Sequence, residues 1–507
     1  MRAPNTVRSG ARLLLPALAF SCAACGPTGA GASASAESVT DEPTAGVTAD
    51  ALLDGDYWRA QGLEDVLPAW TRNGQDTEAG AFFAEMDREW RPSRDLHKYP
   101  GMVARHLFSY SAAYLLTGDA AHLDVAGDVF GFLVDHGWDE AYGGWYDELD
   151  RDGSIVADTK DLFNQAYAVT GLAMYWVVTR DPVVRRYLDR SMEILERHAW
   201  DEELGGYVRS LNRDLSVREW RKDFSPQIAH VSGYLAYLYP ALRDPVLLQR
   251  MERILGVVME RTRDPETGWV LGRFDRSWRY DGPEDRRTNV GHDLETGWLL
   301  MRLHLLTGDD AYRDQGLRLA TSMLEHAYQP ETGAWAHQLR LATGEVHRNT
   351  TPWWVQAYGN MVQLYQYRLT GDRRHLEVFR SGAEFWNRAF MDPEHGAVYL
   401  SVYLDGSLHR GDKAVRTKTS YHSMEYALLN YLYLTLWVEE EPATLHYRIV
   451  EPNGATLHPS LLEDPEIRIT AVEIDGRPWS DYDPEEGSIT LPADVAVATV
   501  TVVLEAS

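Results

Sequence analysis

The stretch DEAYGGWYD at residues 139–147 decides the fold, because five similar stretches occur at nearly constant spacing. Their glycines lie 62 to 65 residues apart: Gly80, Gly144, Gly206, Gly268, Gly333 and Gly396. A second marker lies out of phase with the first, as LLTGD, VVTRD, LRD, LLTGD and RLTGD, ending at Asp119, Asp181, Asp244, Asp309 and Asp372. Two turn markers per repeat predict two helices per repeat and about twelve in all. Repeats of this kind often stack as an open array, but six helical hairpins can also close into a ring.

The helix-length segments fall into two classes. Residues 103–116, 164–178, 230–242 and 292–306 are apolar on nearly every face, which is typical of helices buried on all sides. Residues 183–198 and 247–261 carry many charges and suit an outer layer. We therefore predict an all-α (α/α)6 barrel over residues 51–439.

The texture changes after residue 439. Short β-branched runs such as RITAVEIDG and VAVATVTVVLEA alternate with turn sequences. Residues 440–507 are thus predicted to be a small C-terminal all-β appendix. It suits either a carbohydrate-binding module or a brace packed against the barrel.

Composition excludes several classes of protein. The net charge of −27 argues against nucleic acid or an anionic membrane surface as a direct partner. The sequence contains no phosphate-binding loop, dinucleotide fingerprint, zinc-protease motif or nucleophile elbow. With 17 Trp and 27 Tyr, the chain has ample aromatic side chains to line a sugar-binding pocket.

The N-terminus has the layout of an export signal. Arginines precede the apolar run of residues 13–24; of the only two cysteines of the chain, Cys22 lies near the end of this run and Cys25 directly follows it. The string AFSCAACG at 19–26 resembles a bacterial lipoprotein cleavage box, which predicts a signal over residues 1–25 and lipid on Cys25. Cys22 is the alternative position, and a plain secretory signal is the alternative type. Residues 26–50 are small and polar and are predicted to be a flexible tether. We expect an exported lipoprotein in the periplasm or at the cell surface.

Polar residues recur at one phase of the repeat. Counting 24 to 26 residues forward from a marker glycine leads to Arg105, His230, His292, Tyr358 and His422. In a ring of equivalent repeats, residues of equal phase lie at the same height. We therefore expect these side chains to face one another at one mouth of the barrel. In the second repeat the count leads to the NQAY string at 164–167.

The strings around these residues resemble the N-acylglucosamine 2-epimerase superfamily, which includes cellobiose 2-epimerases and mannose isomerases and has (α/α)6 barrels. They are RHLFSYS at 105–111, NQAY at 164–167, GHDLETGW at 291–298, WWVQA at 353–357 and KTSYH at 418–422. The resemblance covers roughly residues 57–437. It implies a carbohydrate epimerase or isomerase that acts at C2 or between C1 and C2. Substrate-binding positions implied by these strings are Trp298, Trp354, Tyr358, Asn164, Gln165 and Tyr421.

Two positions depart from the family pattern. Family epimerases usually have Glu directly after the Trp-x-Gln-Ala string, where this chain has Tyr358. They usually have Arg three residues after the final His, where this chain has Glu425. Both positions fall near the expected sugar, so the departures indicate a shifted specificity, an altered reaction or lost activity. We expect a neutral mono- or disaccharide as substrate, not an N-acetylated sugar by default.

The chemistry gives each candidate a role. Removing the weakly acidic C2 proton of an aldose requires a base of near-neutral pKa, which imidazole supplies, and His292 and His422 are predicted to be that acid/base pair. Arg105 offers a permanent positive charge for the enediolate oxygen. Glu295, one helical turn after His292, is expected to orient that imidazole. His230 could assist ring opening. We expect no cofactor or metal, and a monomer or homodimer.

Two other functions remain open from the sequence. One is a polysaccharide hydrolase or lyase on the same barrel, for which Glu295, Tyr358 and Glu425 are the candidate groups. The other is a lipid-anchored sugar-binding protein without catalysis. Product analysis separates the first from an epimerase, and binding without turnover would indicate the second.

The mature N-terminus tests the predicted anchor. We expect mass spectrometry of the membrane-extracted protein to find a lipid-modified Cys25 as the first residue, and Cys25→Ser to release the protein from membranes. Continued membrane attachment of that variant would assign the lipid to Cys22. An unmodified terminus downstream of Cys25 would refute lipidation.

Overall fold

A computed structural model of the protein describes residues 50–506. The predicted signal, its two cysteines and residues 26–49 of the predicted tether lie outside the described residues. The helices are α1 (Gly55–Ala60), α2 (Leu67–Asn73), α3 (Pro100–Thr117), α4 (Ala120–Phe132), α5 (Leu162–Thr179), α6 (Pro182–Ile194), α7 (Phe224–His230), α8 (Ala236–Leu242), α9 (Pro245–Val257), α10 (Val290–Thr307), α11 (Asp310–His326), α12 (Trp353–Thr370), α13 (Arg374–Phe385) and α14 (Tyr421–Trp437).

The described helices form an inner and an outer set. The inner set is α3, α5, the pair α7–α8, α10, α12 and α14, and nearly every residue of α3 and α14 is buried. A π-helical segment, Val231–Leu235, joins α7 to α8. The outer set is the pair α1–α2, α4, α6, α9, α11 and α13, which are buried on one face only. Along the inner set each helix packs against the next, and α14 packs against α3.

The second sequence marker is the turn from an inner to an outer helix. In LLTGD, Gly118 ends α3 in the left-handed conformation (φ 69°), which favours glycine. The side chain of Asp119 then accepts a hydrogen bond from the backbone N–H of Ala121 and caps α4. Asp181, Asp244 and Asp309 cap the next outer helices in the same way. The prediction that this marker is a turn between two helices is confirmed, because each marker ends one helix and starts the next.

The loops from outer to inner helices contain short strands that the sequence analysis did not predict. They are β1 (Glu148–Leu149), β2 (Ile155–Ala157), β3 (Lys160–Asp161), β4 (Ser210–Leu211), β5 (Val217–Glu219), β6 (Lys222–Asp223), β7 (Arg273–Phe274), β8 (Arg287–Asn289), β9 (Tyr328–Gln329), β10 (Ala334–Trp335), β11 (Gln338–Arg340), β12 (Thr350–Pro352), β13 (Ser401–Tyr403) and β14 (Leu408–Arg410). Several of these strands pair with a strand of the adjacent loop, as β6 does with β7. Neighbouring loops are therefore linked by backbone hydrogen bonds.

The C-terminal region is entirely β. Its strands are β15 (Ala443–Val450), β16 (Thr456–Leu457), β17 (Ile467–Ile474), β18 (Arg477–Pro478), β19 (Tyr482–Asp483), β20 (Ser488–Thr490) and β21 (Val497–Ala506). One antiparallel sheet has the order β15-β21-β17-β18, and a second has the order β16-β20-β19. Strand β15 packs against α3, α5 and α14. Within residues 50–506 no helix is both long and apolar enough to cross a membrane.

A buried ion pair recurs in the outer-to-inner loops. The carboxylate of Asp392 is buried and accepts hydrogen bonds from Nζ of Lys413 at 2.8 Å and from the guanidinium of Arg88 at 3.0 Å. Arg88 belongs to the first loop and Asp392 to the last, so this pair joins the two ends of the helical region. Asp76, Asp139 and Asp201 each form the same pairing with a lysine of their own loop and an arginine of the next loop.

Removing Asp392 should therefore cost far more stability than removing Arg88. Asp392→Asn leaves Lys413 buried without its counter-charge, and we expect a loss of about 3–5 kcal/mol in the free energy of unfolding. Arg88 is 31% exposed, so solvent screens its charge and Arg88→Gln should cost much less. Urea unfolding of both variants beside the parent measures the difference. Equal losses in the free energy of unfolding would show that the buried Asp392–Lys413 pair contributes no more than the exposed Arg88.

Candidate active site

A cavity of about 240 Å³ lies where the first turns of the inner helices meet. Each of the six members of the inner set contributes at least one side chain, apart from loop residues. The lining residues are Arg105, Phe163, Tyr167, Ser225, Ile228, Ala229, Asn289, His292, Glu295, Trp353, Trp354, Tyr358, Thr417 and His422. Of the side chains predicted to face one another at one mouth, those of Arg105, His292, Tyr358 and His422 converge here, and that of His230 does not.

His422 is held by a buried carboxylate. Its Nδ1 lies 3.1 Å from Oε2 of Glu425, one turn further along α14, and Glu425 is fully buried. The same carboxylate accepts hydrogen bonds from the phenols of Tyr237 (2.8 Å), Tyr421 (2.9 Å) and Tyr358 (3.3 Å). With Nδ1 engaged, the other ring nitrogen is the one available to the cavity. Burial lowers the pKa of His422, and the hydrogen bond to Glu425 opposes that effect.

His292 has a different environment. Its ring stacks on Phe224 with centroids 4.5 Å apart and lies 5.6 Å from the ring of Trp354. Nε2 is 3.5 Å from the hydroxyl of Ser225. Burial, and then the nearby His337, lower the pKa of His292 to about 3, so the imidazole is neutral at physiological pH. Trp354 also lies beside His422, at 6.2 Å, and thus contacts both imidazoles.

Arg105 places a positive charge at the cavity. Its guanidinium lies over the ring of Tyr167, 3.5 Å from the centroid, and donates to the carbonyl of Thr417 at 2.8 Å. The residue is only 2% exposed. Within residues 50–506 it forms no ion pair, and its buried Nε has no hydrogen-bond partner. A cation without a counter-charge suits an anion that forms in the cavity during a reaction.

Glu295 lines the cavity but does not contact His292 by a hydrogen bond. Its polar partner is Ser232, and burial raises its pKa to about 8, with a further increase from the charge of Glu425. The carboxyl therefore holds its proton at neutral pH and can donate a hydrogen bond. The expectation that Glu295 orients His292 is thus not seen in this geometry.

His230 does not line the cavity. It stacks on Tyr207 at 3.9 Å, and its Nδ1 lies 2.7 Å from the phenol oxygen of Tyr234. Burial lowers its pKa to about 3. The preceding residues of α7, Ile228 and Ala229, face the cavity instead. His292 has the same count of 24 residues from its marker glycine, but it is the third residue of α10, whereas His230 is the seventh of α7. The count from the glycine therefore does not fix the face of the helix on which a residue lies. His106, stacked on Phe82, occupies the corresponding place in the first repeat.

Four of the predicted substrate-binding residues also lie outside the cavity lining. Gln165 clamps its helix to the marker turn through the backbone of Trp145 (2.9 and 2.6 Å), as Gln227 and Gln356 do in their repeats. Trp298 is buried two turns below His292 and packs under Tyr358. Asn164 bonds to Asp147, and Tyr421 bonds to Glu425. These side chains support the site from behind and do not face its space.

The sequence analysis missed several lining residues. Tyr167 and Trp353 lie within quoted strings and Phe163 and Asn289 lie close to them, so the strings were the available signal. Ser225 and Thr417 have no local signal, because only the path of the loops brings them to the cavity. Within the described chain no group of three or more His, Cys, Asp or Glu side chains could hold a metal ion.

The contact between His422 and Glu425 makes a direct prediction. In Glu425→Gln the ring loses its anionic partner, so the pKa of His422 should fall further below 6.5. Histidine-selective NMR titration of the parent and of Glu425→Gln measures the pKa of His422. The signal of His422 is assigned as the one missing from His422→Gln. Tyr421→Phe is the matched control, because it removes one hydrogen bond to the carboxylate and keeps the charge. An unchanged pKa of His422 in Glu425→Gln would contradict the assignment.

Comparison with known proteins gives a consistent result. A family model described as N-acylglucosamine 2-epimerase (GlcNAc 2-epimerase) matches residues 80–425. The chain is 28% identical over 372 residues to a cellobiose 2-epimerase of Bacteroides fragilis, covering 71% of this chain and 93% of that protein.

Two solved structures share the fold. A cellobiose 2-epimerase from Spirochaeta thermophila matches with a TM-score of 0.67 and 24% identity, over 78% of this chain and 99% of that one. A D-mannose isomerase matches with a TM-score of 0.68 and 18% identity, over 75% and 98% of the two chains. The region matched in each case is large enough to contain the cavity.

Proposed function

The chain belongs to the N-acylglucosamine 2-epimerase family, whose curated members include sugar 2-epimerases, and is an enzyme; we propose that it transfers the C2 proton of a reducing sugar through an enediolate. The observation that carries the proposal is the placement of two imidazoles, His292 and His422, beside one aromatic ring, Trp354, with the unpaired guanidinium of Arg105 in the same cavity. The sugar ring opens to its aldehyde form before this step.

His422 is the base for the first proton transfer. The carbonyl at C1 makes the C2 proton acidic, and the free ring nitrogen of His422 removes it while the C–H electrons move to the carbonyl oxygen. The imidazolium that forms stays hydrogen-bonded to Glu425, which stabilises its charge. Arg105 stabilises the negative oxygen of the enediolate.

The second proton transfer decides the product. Return of a proton to the opposite face of C2 by His292 gives the epimer. For this transfer His292 first takes up a proton from solvent; burial lowers its pKa and disfavours the imidazolium, and the negative charge of the enediolate opposes that effect. Return of the proton to C1 by His422, with the hydroxyl proton moving from O2 to O1, gives a ketose. The proposal therefore covers a 2-epimerase and an aldose–ketose isomerase, and the role of His292 separates them.

The two positions that depart from the family pattern contact each other. The phenol of Tyr358 on α12 donates a hydrogen bond to the carboxylate of Glu425 on α14. The same carboxylate lies 3.1 Å from Nδ1 of His422, the final histidine of the family pattern. An ionised carboxylate there increases the basicity of His422. This favours an active enzyme over a lost activity, since the pair supports the base directly.

The cavity argues against the hydrolase. Glycoside hydrolysis commonly uses two carboxyl groups that flank the bond to be broken. Among the residues that line the cavity Glu295 is the only carboxylic acid, and Glu425 is buried beneath His422 with its oxygens engaged. Export and a lipid anchor at Cys25 remain proposals from the N-terminal sequence.

The arrangement of the helical hairpins around the cavity bears on the proposed function. We propose that the six helical hairpins close into an (α/α)6 barrel, whose mouth holds the cavity. The packing of α14 on α3 and the Arg88–Asp392 pair support closure. A small carbohydrate is the proposed partner, with the protein acting as a monomer or homodimer.

Deuterium exchange at C2 tests the proposal. With glucose, mannose, cellobiose and N-acetylglucosamine in D₂O, we expect deuterium at C2 of at least one sugar by NMR. His422→Gln should lower the exchange by roughly 10²–10⁴-fold. If both imidazoles act, His292→Gln should abolish formation of the epimer but retain deuterium exchange at C2. If His422 acts alone, His292→Gln should leave ketose formation unchanged. Near-normal turnover in both variants would contradict the assignment, and binding without exchange would favour the sugar-binding protein.

A further inference from the structure

We propose that Asp293 is a positioning residue for His292, and that the protonation of its carboxyl controls formation of the epimer. This inference rests on the proposed function and deepens it, because it names what holds the second imidazole of the same site. Asp293 directly follows His292 in the chain, is fully buried and does not line the cavity. It therefore acts through His292 and does not touch the sugar.

Three other inner helices are held to their marker turns by a neutral amide. In α5, Oε1 of Gln165 accepts a hydrogen bond from the backbone N–H of Trp145, and Nε2 donates to the carbonyl of the same residue. Gln227 of α7 and Gln356 of α12 likewise accept from a backbone N–H and donate to a carbonyl of their turns. An amide does this at every physiological pH, because it does not titrate.

The clamp of α10 divides these two functions between two side chains. Oδ1 of Asp293 accepts the hydrogen bond from the backbone N–H of Val270, at 2.9 Å. The carbonyl of Gly268 in the same turn accepts instead from Nε of Arg263, at 2.8 Å. The second carboxyl oxygen of Asp293 contacts the hydroxyl of Thr288. The start of α10 is thus held by an ionisable group at the place where the other three helices use an amide.

Asp293 has no ion pair among residues 50–506, and its hydrogen-bond partners there are Val270 and Thr288. The ionisable groups on the elements around it are His292 and Glu295 on α10, Arg263 and Asp264 in the turn, Arg286 in the loop before β8, His337 near His292, and Arg318 near Arg263. Arg286 pairs with Asp264 at 3.0 Å, and Arg263 binds the turn. Burial therefore dominates and raises the pKa of Asp293 to about 7, although its two hydrogen bonds and the charge of Arg263 oppose that effect.

The two forms of the carboxyl hold α10 differently. The neutral form donates to Thr288 while it accepts from Val270, so both oxygens are satisfied without a buried charge. The ionised form keeps both contacts but is a buried charge without a counter-charge, which is costly. We therefore expect the first turn of α10, and with it the ring of His292, to be held firmly at low pH. It should loosen as the pH rises through the titration of Asp293.

The product ratio in D₂O tests the inference. The amount of epimer, which needs His292, is divided by the deuterium found at C2 of the recovered sugar, which needs only His422 on α14. In the full-length parent this ratio should fall roughly threefold or more between about pH 6 and about pH 8. Asp293→Asn keeps an oxygen for Val270 and an N–H for Thr288 but does not titrate, so it should lose most of that fall.

Thermal unfolding gives a readout that needs no substrate. Folding raises the pKa of Asp293 from 3.8 to about 7, so this carboxyl lowers the stability of the protein as the pH rises between those values. Asp293→Asn removes that loss, and its Tm relative to the parent should therefore increase over the same range. Asp264→Asn is the matched control, because Asp264 is buried in the same turn but has Arg286 as its counter-charge. Its removal should lower the Tm at neutral pH.

A second variant keeps the inference testable if Asp293→Asn does not fold. Thr288→Val removes a hydrogen bond that lowers the pKa of Asp293, so the fall in the product ratio should move to higher pH. The same pH dependence of the ratio in the parent and in either variant would overturn the positioning role, whatever the Tm values show.

Failure of the proposed function has a different signature. If no sugar exchanges its C2 proton, the epimerase assignment fails, and NMR of the His292 ring then tests the inference by itself. The signal of His292 is the one missing from His292→Gln. It should respond to the titration of Asp293 near pH 7 in the parent and not in Asp293→Asn. A signal that behaves alike in the two proteins would overturn the inference in that case as well.

Discussion

The buried aspartate in the outer-to-inner turn is the constraint on which the rest of the structure depends. Asp76, Asp139, Asp201 and Asp392 are each buried, cap their own turn and hold a lysine from the same loop. A buried carboxylate without these partners would be strongly destabilising, so the loop must return to the lysine. The arginine that completes each cluster comes from the next loop around the helical region. Each turn thus fixes its own loop and its neighbour.

This constraint explains how long loops form a defined site. The long loops between outer and inner helices are anchored at the aspartate and again at the glutamine or aspartate clamp of the inner helix. Between the two anchors the chain forms short paired strands. The first turns of the inner helices are consequently held at one level, where Arg105, His292, Tyr358 and His422 meet around one cavity.

The opposite end of the inner helices is closed by the C-terminal β region. Glu463 reaches the guanidinium of Arg302 on α10, and both side chains are fully buried. Arg302 lies ten residues after His292, which is about 15 Å along a helix. Its guanidinium lies 4.7 Å from the centroid of Trp298, and Trp298 packs under Tyr358. Packed side chains therefore lie beneath the cavity. Trp298 contacts Tyr358, Tyr358 donates to Glu425, and Glu425 contacts His422, so a continuous set of contacts joins the β region to the base.

The two carboxyl groups near the cavity have opposite functions because their surroundings differ. Glu425 accepts three phenol hydrogens and faces His422, an environment that suits a negative charge. Glu295 has Ser232 as its hydrogen-bond partner among residues 50–506, and burial raises its pKa to about 8, so it remains neutral. Residue type alone would have given them the same role.

The sequence by itself determined the repeat, the twelve-helix organisation, the C-terminal strands and the level at which the site lies. It could do so because turn glycines, capping aspartates and apolar helices act locally and leave a pattern at fixed spacing. Only the tertiary structure decided which residues of that level face the cavity. His230 and His292 both lie 24 residues after a marker glycine, yet one stacks behind a turn and the other lines the cavity, since they fall at different distances from the start of their helices. The partnership of Tyr358 with Glu425 was likewise decided there, because such a contact joins segments that are distant in sequence and leaves no periodic signal.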